Sequence, residues 1–231
     1  MNFELKKGDS LGIVGESGSG KTTVARIISG LETHTSGKVH LLGKPLSQWL
    51  QENPVEFRKS IQYVFQDPIM SLNPRKTIYQ TLEKPLKNLT ELSGQERKER
   101  IEKLMELVNL RPEFVHRYPH EFSGGQCQRI GIARALASEP KILVLDEPVS
   151  ALDVSIQAQI LNLLMDLKEK LALTYVFISH DLSVVEFICD RILVMNRGYV
   201  VEEGDCDSVF RNPREDYTRK LIASIPLIQF S

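Results

Sequence analysis

Residues Gly15-Glu16-Ser17-Gly18-Ser19-Gly20-Lys21-Thr22 lie between a short apolar run, Ser10 to Val14, and a helical pattern from Lys21 to Gly30 in which Val24, Ile27 and Ile28 share one face. A strand, a glycine-rich turn and a helix in that order constrain the fold strongly. The glycines let the backbone close around a dense negative charge with its N–H groups turned inward, and the helix N-terminus adds a favourable dipole. Lys21 supplies a mobile cation for β- and γ-phosphates. The Thr22 hydroxyl, followed by Thr23, suits a phosphate-bound Mg²⁺. The competing reading, a turn with an exposed lysine, does not account for the flanking strand and helix. These residues predict a site for a nucleoside triphosphate, ATP with Mg²⁺.

The rest of the chain alternates in character. Lys38 to Leu42 reads as a strand followed by a Gly43-Lys44-Pro45 turn, with Trp49 expected at the surface of this first lobe. Ile61 to Phe65 reads as a further strand running into Gln66. From about Asp67 to Ser138 apolar residues fall at helical spacing and strand signals are scarce. Ser93-Gly94-Gln95-Glu96 has the form of a capping box, and Ile101, Leu104, Met105 and Val108 then make one apolar face. After Pro140 the α/β pattern resumes with Ile142 to Leu145, a continuous apolar run suited to a strand buried on both faces. Asp153 is placed to cap a helix reaching about Leu171. Tyr175 to Ile178, Ile192 to Met195 and Tyr199 to Val201 read as strands, the last two joined by the turn Asn196-Arg197-Gly198.

Composition removes several functions. Lys plus Arg (29) nearly equal Asp plus Glu (30), so the basic excess of a nucleic-acid binder is missing and no nucleic-acid partner is expected. Cys127, Cys189 and Cys206 lack metal-ligand spacing and read as ordinary thiols. No apolar run approaches the ~20 residues that cross a bilayer, so membrane association is expected to come through a partner.

Two more motifs carry chemistry. Asp146-Glu147 ends the strand Ile142 to Leu145; Asp146 suits the Mg²⁺ that bridges phosphates, and Glu147 can polarise an attacking water as general base. Solvated acids at a strand end are the bland alternative. Phe122-Ser123-Gly124-Gly125-Gln126 opens another helix, as an ordinary cap or as a second phosphate-binding surface. Two such surfaces in one chain make sense if they serve different nucleotides.

In this order the phosphate loop, Gln66, the Ser123 to Gln126 signature, Asp146-Glu147, Ser150-Ala151-Leu152-Asp153 and His180 resemble the ATP-binding-cassette (ABC) transporter ATPases, from about residue 2 to 204. The resemblance implies an α/β P-loop NTPase fold of the ABC nucleotide-binding type, with a parallel-sheet core, a small antiparallel β lobe and an inserted α-helical subdomain. It divides the chain into a RecA-like core and β lobe (1–66 and 139–205), a helical subdomain (67–138) and a C-terminal helical tail (206–231). It implies head-to-tail pairing with a second cassette, a copy or a homologous chain. Ser123, Gly125 and Gln126 would contact ATP held by that partner, and Asp153 would lie at the seam. Glu147, His180 and Gln66 are the implied catalytic set. Thr22, Gln66 and Asp146 are the implied Mg²⁺ ligands.

Gln66 to Arg75 and Val149 to Leu161 resemble the cassettes of di- and oligopeptide, nickel and related importers, and Tyr217-Thr218-Arg219-Lys220-Leu221 resembles their C-terminal segment, with Asp216 where proline is usual. This implies ATP-driven solute uptake with two membrane permease subunits and, indirectly, a solute-binding protein, at the cytoplasmic face of a bacterial membrane. A soluble non-transport ATPase and a catalytically weak structural subunit are the alternatives. Fourteen residues precede Gly15, with Phe3 the sole aromatic among them. The adenine-stacking aromatic of the family is therefore expected to be missing, and base–aromatic stacking is worth ~1–3 kcal/mol.

Overall fold

The computed structural model describes residues 2–224; residues 225–231 of the expected C-terminal tail lie outside the described residues. The elements are β1 (Ser10–Val14), α1 (Lys21–Ile28), β2 (His40–Leu41), β3 (Lys44–Pro45), α2 (Leu46–Glu52), α3 (Pro54–Ser60), β4 (Ile61–Val64), α4 (Ile78–Leu89), α5 (Gly94–Leu107), α6 (Gly124–Leu136), β5 (Ile142–Asp146), α7 (Val154–Leu171), β6 (Thr174–Ser179), α8 (Leu182–Ile188), β7 (Arg191–Asn196), β8 (Tyr199–Asp205), α9 (Cys206–Arg211) and α10 (Asp216–Ala223).

One six-stranded sheet runs β4-β5-β6-β1-β7-β8. Every neighbour pair is parallel except β7–β8, which is the hairpin that Asn196-Arg197-Gly198 signals. The interior strands alternate between two cores with the period of two that a pleat demands. Leu143, Leu145, Tyr175 and Phe177 face one core, shared with Ile101, Leu104, Met105 and Ile130 from the helical segment. Ile142, Val144, Val176 and Ile178 face the other, shared with Ala25, Trp49 and Phe57. Phe3 packs at the margin of this second core.

Helix boundaries follow local chemistry. Ser93 and Ser123 each accept a hydrogen bond from the backbone N–H three residues on, completing capping boxes with Glu96 and Gln126; Thr77 and Gln80 do the same for α4. Asp153 sits at the N-cap of α7, yet its side chain makes no capping hydrogen bond. Among the described residues no strand lies between Val64 and Ile142.

Two local expectations are corrected. The stretch from Lys38 forms a two-residue strand, and Lys44–Pro45 is its return strand rather than a turn. Leu42 (φ 51°) and Gly43 (φ 79°) make the reversal, the pair of positive φ values that a tight hairpin requires. Trp49 is buried, 8% exposed, and its indole N–H donates to Leu41 O at 2.6 Å. The small hairpin has too little apolar surface of its own, and the indole anchors it to the second core.

Candidate nucleotide site

Parallel pairing brings the chemistry to one edge. Val14 lies opposite Ser179 and Val194, and Asp146 opposite Ile178, so the turns after β1, β5 and β6 open at the C-terminal ends of adjacent strands. This is where ligands bind in open α/β sheets. The turns carry the phosphate loop, Glu147 and His180.

The loop is shaped by backbone that only glycine tolerates. Gly15 has φ 148°, and a Cβ there would stand 2.1 Å from Met195 O. Gly20 (φ 100°) is the N-cap of α1 and brings no side chain to the helix N-terminus, whose first N–H groups point into the loop. Lys21 is 6% exposed, and its Nζ donates to Gly15 O at 2.8 Å and Glu16 O at 2.9 Å. Burial lowers the Lys21 pKa, while the negative charges of Glu147 and Asp146 oppose that shift. Ser19 Oγ is buried without a hydrogen-bond partner, so the loop retains polar capacity that the chain itself does not satisfy.

Asp146, 5% exposed, ends β5. Its Oδ2 accepts from Tyr63 Oη at 2.5 Å and its Oδ1 from Thr22 Oγ1 at 3.3 Å. Burial, then the hydrogen bond to Asp146, raises the Tyr63 pKa, so the phenol stays a donor across the working pH range. Tyr63 carried no recognisable signal in the sequence, because its partner is 83 residues away.

Glu147 holds two groups at once. Its Oε2 accepts from Gln66 Nε2 at 2.8 Å, and its Oε1 lies 3.1 Å from His180 Nδ1. The backbone of Glu147 is left-handed, φ 47°, and its N–H donates to Ile178 O at 2.9 Å. A non-glycine residue in this region is strained, and such strain concentrates at functional sites. Gln66, Glu147 and His180, far apart in sequence, therefore meet at one carboxylate beside Lys21 and Asp146.

Ser123, Gly125 and Gln126 stand apart from this group. Ser123 N–H donates to Gln126 Oε1 at 3.0 Å, and Gln126 N–H to Ser123 Oγ at 3.3 Å. Among the described residues no hydrogen bond or ion pair joins these three to residues 15–23. Gly125 is buried at α7: a Cβ there would meet Ile156 Cγ2 at 2.5 Å.

The chain matches the ABC transporter family over residues 1–150. It is 51% identical over 228 residues to the oligopeptide transport ATP-binding protein OppF of Salmonella typhimurium, covering 98% of this chain and 68% of that one. It is 50% identical over 226 residues to the dipeptide transport ATP-binding protein DppF of Haemophilus influenzae, covering 98% and 69%. Among solved structures, a dimeric ATP-binding cassette in a post-hydrolysis state with ADP and Pi bound superposes with TM-score 0.79 at 34% identity, covering 89% of this chain and 88% of that one. The cbiO1 protein of Clostridium perfringens, part of an ABC transporter complex, gives TM-score 0.82 at 30% identity, covering 98% and 88%. With the phosphate loop and the acidic strand end meeting at one edge of the same fold, the chain belongs to the ABC transporter family and is one of its ATPases.

Proposed function

We propose that this chain is the ATP-binding subunit of a di- or oligopeptide importer, working at the cytoplasmic face of a bacterial membrane in a pair of cassettes beneath two permease subunits. The observation that carries the catalytic part is the meeting of Gln66 and His180 on the Glu147 carboxylate. Relatives named for oligopeptide and dipeptide transport support the cargo.

The residues divide the work. Lys21 is held on loop carbonyls, ready to turn to β- and γ-phosphate oxygens. Glu147 is the general base that takes a proton from the attacking water, a role worth ~10²–10⁴-fold in rate. His180, at the Glu147 carboxylate, orients that water and the γ-phosphate. Gln66 ties the base to the chain on either side of it, where Phe65, Ile69 and Met70 are exposed large apolar residues suited to a membrane subunit. Ser123, Gly125 and Gln126, on the helical segment 67–138, would close on ATP bound by the partner.

The donor set fits Mg²⁺. Asp146 and Thr22 offer oxygen, Gln66 adds an amide oxygen nearby, and no cluster of three His, Cys, Asp or Glu exists among the described residues to form an all-protein cage. A hard cation that keeps waters and phosphate oxygens needs only such a partial shell. When bound, Mg²⁺ would neutralise charge on the transferring phosphate. No helix among the described residues is long and apolar enough to cross a membrane.

The test is reconstitution with the permease subunits and partner cassette in proteoliposomes. ATP-dependent uptake of labelled peptide is expected, and Glu147→Gln should stop uptake and phosphate release while ATP still binds. Vigorous ATP hydrolysis with no uptake of any di- or oligopeptide would rule out the cargo assignment.

A further inference from the structure

Beyond the sheet the chain turns back toward the phosphate loop. The buried carboxylate of Glu202 on β8 accepts the N–H of Arg214 at 2.8 Å and of Glu215 at 3.2 Å, seating the start of α10. Arg219 closes the same turn, donating to Pro213 O at 2.7 Å and to Asp216 Oδ1 at 2.6 Å. Thr218 is fully buried, and Tyr217, Leu221 and Ile222 pack on the core that includes Val14, the residue before Gly15.

From this seat Tyr217 Oη accepts the N–H of Glu16 at 3.2 Å, across 201 positions of sequence. Glu16 N and Gly15 O are the two ends of one peptide unit. Lys21 Nζ donates to that Gly15 O at 2.8 Å. One peptide plane is thus gripped at its N–H by the C-terminal helix and at its C=O by the phosphate-binding lysine. Hydrogen bonds that share an amide polarise one another, and a plane held at both ends resists rotation.

We infer that Tyr217 is a positioning residue for the nucleotide site: its hydroxyl fixes the Gly15–Glu16 peptide plane, and through it the resting position of Lys21. By linkage the dependence runs both ways, so nucleotide that orders the loop steadies α10 and unseating α10 slackens the loop. The inference rests on the loop being the phosphate site and is independent of the cargo.

The full chain is titrated with ATP and ADP in magnesium buffer as wild type, Tyr217→Phe and Glu202→Gln, with hydrogen exchange followed at Glu16 and along α10. Tyr217→Phe keeps the ring and removes the hydroxyl. Its Kd for both nucleotides should rise about 3- to 10-fold, the scale of one net hydrogen bond. The ATPase KM should rise with it while kcat changes much less, and Glu16 should exchange faster while β1 and β5 do not. Glu202→Gln, which does not touch the loop, should also speed exchange at Glu16. In wild type, ADP should slow exchange along α10. Unchanged Kd and Glu16 exchange in Tyr217→Phe, or α10 exchange indifferent to ADP, would overturn the inference. Wild-type protein that binds neither nucleotide would overturn the phosphate-site reading itself, and this inference with it.

Discussion

The Tyr63 hydroxyl donates to Asp146 Oδ2 at 2.5 Å from the strand beside it, leaving Oδ1 turned toward Thr22. The tyrosine thereby decides which carboxylate oxygen is available to a phosphate-bound cation. Tyr63→Phe removes one of the two donors to a buried acid. Leaving a buried acceptor short of a partner costs about 1–3 kcal/mol. Urea unfolding should report a loss of that size, and nucleotide binding should need more magnesium. An unchanged magnesium requirement would reduce Tyr63 to a packing residue.

Glu147 sits at φ 47°, where a Cβ crowds the backbone and the cost is roughly 1–2 kcal/mol. Ala and Gly both delete its contacts with Gln66 and His180, yet only Gly relieves this crowding. Glu147→Gly should therefore be more stable than Glu147→Ala by about 1 kcal/mol, the reverse of the order expected in regular structure. Both should lose phosphate release by about 10²-fold or more. Thermal melts of the two variants side by side decide the first point, and a phosphate assay decides the second.

Motifs whose chemistry is local were legible in the sequence. The phosphate loop, the capping boxes at Ser93 and Ser123 and the apolar strand Ile142 to Leu145 are each written within a few residues. The alternation of apolar strand runs and helical patterns marked an α/β chain, and the parallel-sheet core followed from the resemblance carried by the ordered motifs. Tyr63 and Tyr217 act on partners 83 and 201 residues away, and no local pattern marks them. The run Lys38 to Leu42 is apolar enough to suggest a longer strand than the two residues that form, because composition cannot reveal a reversal at Leu42, a residue that seldom adopts positive φ. Nothing local marks Trp49 as buried, because its burial depends on α2 folding over the hairpin.

The seat of α10 should be acid-labile. Burial works against the charged form of Glu202, but the N–H groups of Arg214 and Glu215 and the Arg214 charge hold its carboxyl below the ordinary 4.5. A carboxyl depressed in the folded state contributes stability that is complete above about 4.5 and is lost as the pH falls through the folded value. Exchange along α10 should therefore be slow near neutrality and accelerate below pH ~4.5, after correction for intrinsic rates. Glu202→Gln should remove most of this pH dependence. A wild-type seat indifferent to acid would mean that the two backbone hydrogen bonds contribute little.

Adjacent glycines at the start of α6 should respond oppositely to alanine. A Cβ on Gly124 would meet Leu152 Cδ2 at 3.5 Å, ordinary contact, whereas one on Gly125 would meet Ile156 Cγ2 at 2.5 Å, closer than real Cβ atoms approach. Gly124→Ala should leave stability unchanged or raise it by up to ~1 kcal/mol, since alanine costs less conformational entropy than glycine in a helix. Gly125→Ala forces α6 away from α7 or Ile156 off its rotamer, an overpacking cost of about 1–3 kcal/mol. Ile156→Ala, by trimming the obstructing methyl, should recover most of that loss in the double variant, and its failure to do so would move the constraint on Gly125 from packing to its backbone N–H. Because α6 carries Ser123 and Gln126 toward the proposed partner cassette, the same double variant separates two effects. Restored stability with ATPase activity still low would show that the angle of α6, and not merely its folding, governs how the signature meets the partner's nucleotide.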